Sequence, residues 1–419
     1  MNILTRYFKP WVVEDLGRDG LYYDIAYSGS MLLAGILMPA LGAISDNSGK
    51  KKFFLFLFTI VCCSAIGIIS FLPPMFFIFA VLLFAFSNFF YEGGMVFYNT
   101  LLYSVAEGKE ARFVSGFGVA MGYLGAIIGL MIMLPIVYGD IFGWDIPGMP
   151  GWGKKASFIP TAIIFFIFSL PTFIWVKEKQ YAKPIKNTSL ANAYKEVWEG
   201  IRDTRKYPGV VRFLIADYFF EDAVATVILN IGIFCSLVLG LKGSNIDLFL
   251  IISTISAMLG AYIIGRISVI MNLKAIMNSI IWGWVIILGA FILIDNIILV
   301  YIMGSLIGIL MGGLWTVSRP LLAEMVPPQE LGRFFGLYAL SGKAAAIVGP
   351  VVWGVVVYLF NPLRPLGIAM AEVFDMSPES AEKLPYKLAI LSLVFMMMIG
   401  LFIFRKVPRS GRSREVVSD

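Results

Sequence analysis

The feature that most constrains this chain is a succession of apolar blocks, each about 20 residues long and each closed by charged residues. A helix rises about 1.5 Å per residue, so some 20 residues cross the roughly 30 Å hydrocarbon core of a bilayer. Blocks of that length lie at 21–45, 52–72, 76–103, 113–138, 157–176, 210–239, 247–270, 274–294, 297–323, 332–360 and 385–405. Backbone groups in lipid must be satisfied internally, which a helix does within its own segment. The pattern therefore predicts an all-α, multi-pass membrane protein with eleven full spans. Composition agrees. Hydrophobic residues make up 59% of the chain and charged residues 14%, against about 25% charged in soluble domains.

Several function classes fall away at once. The chain has no histidine, which removes His-ligated zinc, Ser-His-Asp triads and imidazole proton shuttles. Cys62, Cys63 and Cys235 all lie in apolar segments and form no Cys-x-x-Cys pair; they read as small apolar fillers. No Gly-x4-Gly-Lys-Ser/Thr loop is present, so nothing in the chain suggests ATP drive. An intramembrane enzyme would have only carboxylates to work with. The expectation is a non-enzyme without cofactor or metal.

The basic residues alternate between the two sides of these blocks. Of 33 lysines and arginines, 22 fall in one set of loops and nine in the opposite set, while Arg319 and Lys343 fall within spans. A nucleic-acid binder would gather its charge on one face; here the partner is the membrane surface, with the 22-residue side cytosolic. The C-terminal tail, 407–419, is then cytosolic, as is the linker, 177–209. That linker carries Leu190, Tyr194, Val197, Trp198 and Ile201 at helical spacing. It reads either as an amphipathic helix on the inner surface or as a plain tether. The opposite loop, 141–155, rich in Gly, Pro and Trp, is expected to be irregular with an aromatic anchor at the interface.

The chain also repeats itself. Gly42-Ala-Ile-Ser45 is matched by Gly265-Arg-Ile-Ser268, 223 residues later, and Leu101-Leu102 by Leu321-Leu322, 220 later. Arg112-Phe113 is matched by Arg333-Phe334, and Gly129 by Gly349. The landmarks recur in one order at nearly constant offset, as in a parallel repeat of two six-helix halves. The halves are 1–176 and 210–406. Subtracting the offset from the seventh span puts the start of the first about a dozen residues before Met1. Asn2–Val13 then reads as the outer part of a truncated first span, and the alternative is an eleven-span chain with an external N-terminus.

The loop after the 21–45 block reads Gly42-Ala-Ile-Ser-Asp46-Asn-Ser-Gly49-Lys50-Lys51-Lys52. Gly42 allows close approach of two backbones. Asp46 can accept hydrogen bonds from a helix N-terminus or pair with an arginine. Gly49 makes the turn, and the lysines are expected at anionic lipid. This loop resembles the signature loop of the major facilitator superfamily. The resemblance implies the major facilitator fold and a role for Asp46 in locking two halves together, with Gly42, Gly49 and Lys50 around it and Arg112 as a possible partner. Two further stretches are Phe97-Tyr98-Asn99-Thr-Leu-Leu with Arg112-Phe-Val-Ser-Gly116, and Ser318-Arg319-Pro320 running on to Phe334-Phe-Gly336-Leu-Tyr338 and Gly349-Pro350. They are similar to the branch that holds the vacuolar amino-acid effluxers of autophagy and their prokaryotic relatives. That branch usually carries a Tyr-Asp-x-Ala-Asn run early in the first span, which is absent here.

Charged side chains cost about 2.5–3.5 kcal/mol at the bilayer centre, so they need a reason to be there. Glu92 lies mid-span, and so do Glu221 and Asp222; Asp217 is one turn away on the same face as Glu221. Lys343 sits about ten residues into its span. Four carboxylates face one lysine, and a carboxylate that gains and loses a proton as a site opens is what proton coupling requires. Glu92, Glu221 and Asp222 are expected to line a central cavity together with the aromatics nearest them, Tyr91, Tyr218 and Trp315. The competing reading is a set of buried ion pairs between helices. The expected function is a secondary active transporter of a small polar or zwitterionic solute, working as a monomer, with lipid, solute and protons as partners and no nucleic acid. The alternative is a membrane sensor or scaffold on the same fold.

Overall fold

The computed structural model describes residues 2–141, 144–178, 195, 207, 209–241, 244–294 and 296–408. The candidate amphipathic helix around Leu190–Ile201 and the tail 409–419 lie outside the described residues.

The chain folds into helices α1 (Asn2–Pro10), α2 (Leu21–Ser48), α3 (Lys51–Phe71), α4 (Phe77–Val105), α5 (Gly108–Tyr138) and α6 (Phe158–Trp175). There follow α7 (Val210–Leu237), α8 (Ser244–Ile270), α9 (Leu273–Phe291), α10 (Ile297–Ala323), α11 (Leu331–Leu359), α12 (Pro365–Val373) and α13 (Pro378–Arg405). Eleven helices, all but α1 and α12, are long and apolar enough to cross a membrane among the described residues. These coincide with the eleven apolar blocks.

The helices outrun the blocks at several ends. The block at 113–138 becomes Gly108–Tyr138, and the block at 385–405 becomes Pro378–Arg405. Hydropathy marks the stretch in lipid, whereas helical hydrogen bonding continues through the polar residues outside it. Local chemistry sets the stops and starts. Gly49 ends α2 in the left-handed conformation at φ 63°, its N–H donating to Ser45 O at 3.1 Å. Asn272 and Asn296 cap α9 and α10 by accepting from the first-turn amides. The loop 141–155, expected to be irregular, has some order: β1 (Asp140–Ile141) pairs antiparallel with β2 (Trp144–Asp145), and Trp144 and Trp152 are exposed. The helix α12 falls between two blocks and is too short to register as a span.

The chain forms two compact units. Unit 1 comprises Met1–Glu107, Leu124–Glu199 and Pro327–Leu340, and unit 2 comprises Gly108–Tyr123, Gly200–Val326 and Ser341–Asp419. Two helices are thus divided: the first half of α5 belongs with unit 2, and the first third of α11 with unit 1. In unit 1, α1 is embedded among α4 and α6 in an aromatic core, with Phe8 stacked on Phe84 at 4.5 Å and Trp11 edge-on to Phe158. Offset and edge-on ring pairs of this kind add about 0.5–1.5 kcal/mol each beyond area burial. In unit 2, the tightest crossing is α8 on α10. Gly308 and Gly312 lie on the Ser253 and Ala257 carbonyls, and Gly260 lies on Ile309. Lipid supplies no hydrophobic drive for helix association, so close backbone packing carries it instead.

Candidate functional site

In unit 1, the loop joining α2 to α3 is built around Asp46. Its Oδ2 accepts the Arg333 backbone N–H at 2.9 Å, and the Gly332 N–H also reaches the carboxylate. Both amides belong to the first turn of α11, where helix N–H groups have no internal partner and the dipole favours an anion. Lys51 Nζ lies 3.0 Å from Asp46 Oδ1, with both side chains 6% exposed. Gly42 passes so close to the Gly332 carbonyl that any side chain there would collide with backbone, and Gly336 likewise abuts Met38 and Pro39. The start of α11 is therefore seated on the end of α2.

The lysines of this loop divide. Lys50 is exposed. Lys51 is not: it is buried on Asp46. Lys52 Nζ donates to Val176 O at 2.8 Å, at the end of α6. Glu178 closes the arrangement by accepting the Lys51 N–H at 2.5 Å and the Lys52 N–H at 3.4 Å, so it caps the start of α3.

Arg112 is not the partner of Asp46. It lies in unit 2, where its Nε pairs with Glu324 Oε1 at 2.7 Å and its Nη1 donates to Ser268 O (2.9 Å) and Met271 O (3.2 Å). The carbonyl end of α8 needs a cation or donor, and the guanidinium fork meets it while holding Glu324. Asp46, already met by two amides and Lys51, has no comparable need. Beside Arg112, Gly116 lies against Ala261 O and Gly265, Ser115 Oγ donates to Thr316 O at 3.0 Å, and Arg319 Nη2 donates to Ser115 O at 3.1 Å. The start of α5 is thus seated on α8 and α10.

Unit 2 also gathers the α7 carboxylates. Glu221 accepts the Trp315 indole N–H on both oxygens, at 2.9 and 3.1 Å. Tyr123 stacks on Trp315 with ring centroids 6.2 Å apart and planes 19° from parallel. Asp217, one turn before Glu221, is 0% exposed. Ser318 Oγ is near it, but that hydroxyl gives its proton to Leu314 O at 2.9 Å, and neither Asp217 oxygen meets a hydrogen-bond partner among the described residues. Asp222 is also 0% exposed and is differently placed. Its Oδ1 accepts the Gly349 N–H at 2.7 Å. The α11 backbone there runs straight into Pro350, and a side chain at 349 would strike Thr226 Oγ1 and the Asp222 carboxyl. Asp222 thus tethers α7 to the Gly349-Pro350 step of α11.

The structure brings Asp217, Glu221 and Trp315 together in unit 2, where Tyr218 and Lys343 are half-buried. Tyr91 and Glu92 belong to unit 1, where Tyr91 packs edge-on to Phe165 at 6.0 Å. Asp222, expected to line a central cavity, is 0% exposed and turned to the α11 backbone. Tyr123 is a site residue that sequence reasoning passed over, since nothing in Gly122-Tyr123-Leu124 marks it out. The partnership of Arg112 with Glu324 was within reach as opposite charges at matching span ends.

The sequence profile described as vacuole effluxer Atg22-like matches residues 103–366. An uncharacterised MFS-type transporter of Bacillus subtilis, YxiO, is 26% identical over 93% of this chain and 84% of its own length. Autophagy-related protein 22-1 of Aspergillus fumigatus is 24% identical over 63% of this chain and 46% of its own, so the match spans about half of that fungal relative. Among solved structures, the proton:xylose symporter XylE has a TM-score of 0.64 at 14% identity, covering 97% of this chain and 91% of its own. A bacterial homologue of the iron transporter ferroportin in an outward-facing state has a TM-score of 0.59 at 12% identity, covering 92% and 89%. Likenesses at such identities bear on fold alone. Together with the eleven spans and the signature loop, these matches make the chain a multi-pass membrane transporter of the major facilitator superfamily, belonging to its Atg22-like vacuole effluxer family.

Proposed function

We propose that this transporter moves a small polar or zwitterionic solute, an amino acid or a compound like one, by alternating access driven by protons. The observation that carries the reading is the acidic group on α7. Asp217 is fully buried with no hydrogen-bond partner among the described residues, one turn from Glu221, which accepts the Trp315 indole N–H among its interactions. Burying a carboxylate is expensive unless it is paired, and a carboxyl that changes protonation as its surroundings change is the means by which a proton gradient can drive transport. Proton coupling has precedent on this fold in the xylose symporter.

Alternation is to be read from the divided helices. The segments of α5 and α11 that cluster with the opposite part of the chain begin at Gly108 and Pro327, 219 positions apart, and end at Tyr123 and Leu340, 217 apart. Those offsets lie close to the 220–223 by which the sequence repeats, which supports two related halves, 1–176 and 210–406, joined by 177–209. In this reading the seats of Asp46 beneath α11 and of Arg112 beneath α8 are the locks of one conformational state. The reading places the chain in the cell membrane, and the charge distribution of the loops favours a cytosolic C-terminus.

The test is reconstitution into vesicles with a trapped pH dye. Adding a mixture of the common amino acids should change the internal pH, and splitting the mixture should find the solute. Silence toward the whole mixture would overturn the amino-acid reading.

A further inference from the structure

The buried carboxylates of α7 do not have equivalent surroundings. Asp222 is committed to a backbone amide, since Oδ1 holds Gly349 N–H at 2.7 Å and the Gly349 backbone packs directly on the carboxyl. Its other oxygen, Oδ2, is buried without a hydrogen-bond partner among the described residues, so the attachment is made through Oδ1 alone. It gives Asp222 a structural task, holding α7 to α11 at the residue before Pro350, inside the helix.

Asp217 has no such task. The groups that bear on it are Glu221 from its own helix and Ser318 from α10. The neighbouring helices do carry cations. On α10, Arg319 is turned to the carbonyls of Trp315 and Ser115, and on α8, Arg266 stacks on Phe113 and Tyr262. On α13, Arg405 lies over Trp282, and on α11, Lys343 is half-buried and engaged. With the Ser318 proton given to Leu314, a charged Asp217 would be a buried ion with no compensation, which costs several kcal/mol in real proteins. As a neutral acid it has no buried charge to compensate, and only its hydrogen-bonding groups remain to be met. Glu221, half-buried and one turn along, is its way out. The Trp315 indole N–H forks across both Glu221 oxygens, a geometry suited to a carboxylate and poorer for a carboxylic acid. Tyr123 is stacked on that indole, and its own hydroxyl is buried without a hydrogen-bond partner among the described residues.

We propose that Asp217 holds the coupling proton, that Glu221 passes it between Asp217 and water, and that the Trp315 indole governs that passage. In the transfer, the O–H bond of Asp217 breaks as one forms on a Glu221 oxygen. Asp217 is left as the carboxylate, and the Trp315 N–H loses one of its two acceptors. The inference rests on the reading of the chain as a proton-driven transporter, but its test needs no solute.

The full chain in lipid is followed by infrared difference spectroscopy as pH is stepped. The proposal expects the carbonyl stretch of a buried carboxylic acid at neutral pH. D217N should remove that band, D217E should restore it shifted, and D222N should leave it in place. W315F should add a second carboxylic-acid band, from Glu221, at a pH where the parent shows one. A band that survives D217N, or no such band in the parent, overturns the proposal. If D217N does not yield folded protein, W315F decides: an unchanged titration of the band overturns it. Solute-independent bands of this kind with no amino-acid response in vesicles would sink the solute reading and leave the proton site standing.

Discussion

Replacing Asp46 by Asn tests whether one carboxylate seats the start of α11. The change keeps shape and one acceptor but removes the charge. Hydrogen bonds to a charged group contribute about 1.5–3 kcal/mol each, and the variant weakens those from Gly332 and Arg333 to neutral ones. It also strips Lys51, 6% exposed, of its counter-charge. Removing one partner of a buried pair costs about 3–5 kcal/mol, although a lysine stem can carry its ammonium toward water and recover part of that. A net local cost of about 2–4 kcal/mol follows, which is roughly a 30- to 1,000-fold rise in the population with α11 unseated, at about 1.4 kcal/mol per tenfold. Hydrogen–deuterium exchange with mass spectrometry reads this directly. Protection should fall by that factor in peptides covering 331–340 and 42–50, with little change in α8 and α10. The D46N/K51M double variant should recover part of the protection, because removing both charges leaves neither stranded. Unchanged exchange at 331–340, or an equal rise throughout the chain, would refute the reasoning.

At the matching seat in unit 2, R112A should cost about 2–3 kcal/mol, below the figure for fully buried pairs because its side chain and that of Glu324 keep 14% and 18% exposure. E324Q should cost less, since the bonds from Arg112 to Ser268 and Met271 remain; exchange at the end of α8 measures both, and equal effects would contradict the assignment of those carbonyls to Arg112. D222A should lower thermal stability in detergent by about 1–3 kcal/mol by orphaning the Gly349 N–H, while D222N, which keeps Oδ1, should sit near the parent. G349A should be destabilising by about 1–3 kcal/mol through overlap with Thr226 and Asp222, and a neutral result would remove the tether. G116L should loosen α5 from α8 because its Cβ would meet the Ala261 carbonyl and Gly265, with exchange across 108–123 as the readout.

Much of this architecture is legible in the residues because a bilayer leaves few choices. Apolar length alone sets the spans, since an unsatisfied backbone in lipid is costly. The signature loop also reads well. Gly42 is at a backbone contact and Gly49 is in the left-handed turn, as their residue types require. What the sequence does not disclose is which complementary groups meet. Asp46 could take an arginine or a helix N-terminus, and only the packing of α11 decides for the second. Lys51 looks like its neighbour Lys50 until the fold buries one and exposes the other. Asp217 and Asp222 are both acids near the middle of one helix, and a single backbone amide at Gly349 distinguishes their surroundings. Tyr123 carries no charge and no motif, so only its ring against Trp315 places it at the site. The short helix α12 escaped for the opposite reason, being apolar but under the length of a span.

The central claim is that solute movement is tied to a proton carried on α7. The most direct measurement is proton flux in sealed vesicles holding the purified chain, with solute added to one side and parent protein compared with D217N. The account predicts solute-dependent proton movement in the parent and none in D217N, with D222N resembling the parent. Equal proton movement per solute in D217N and the parent would contradict it.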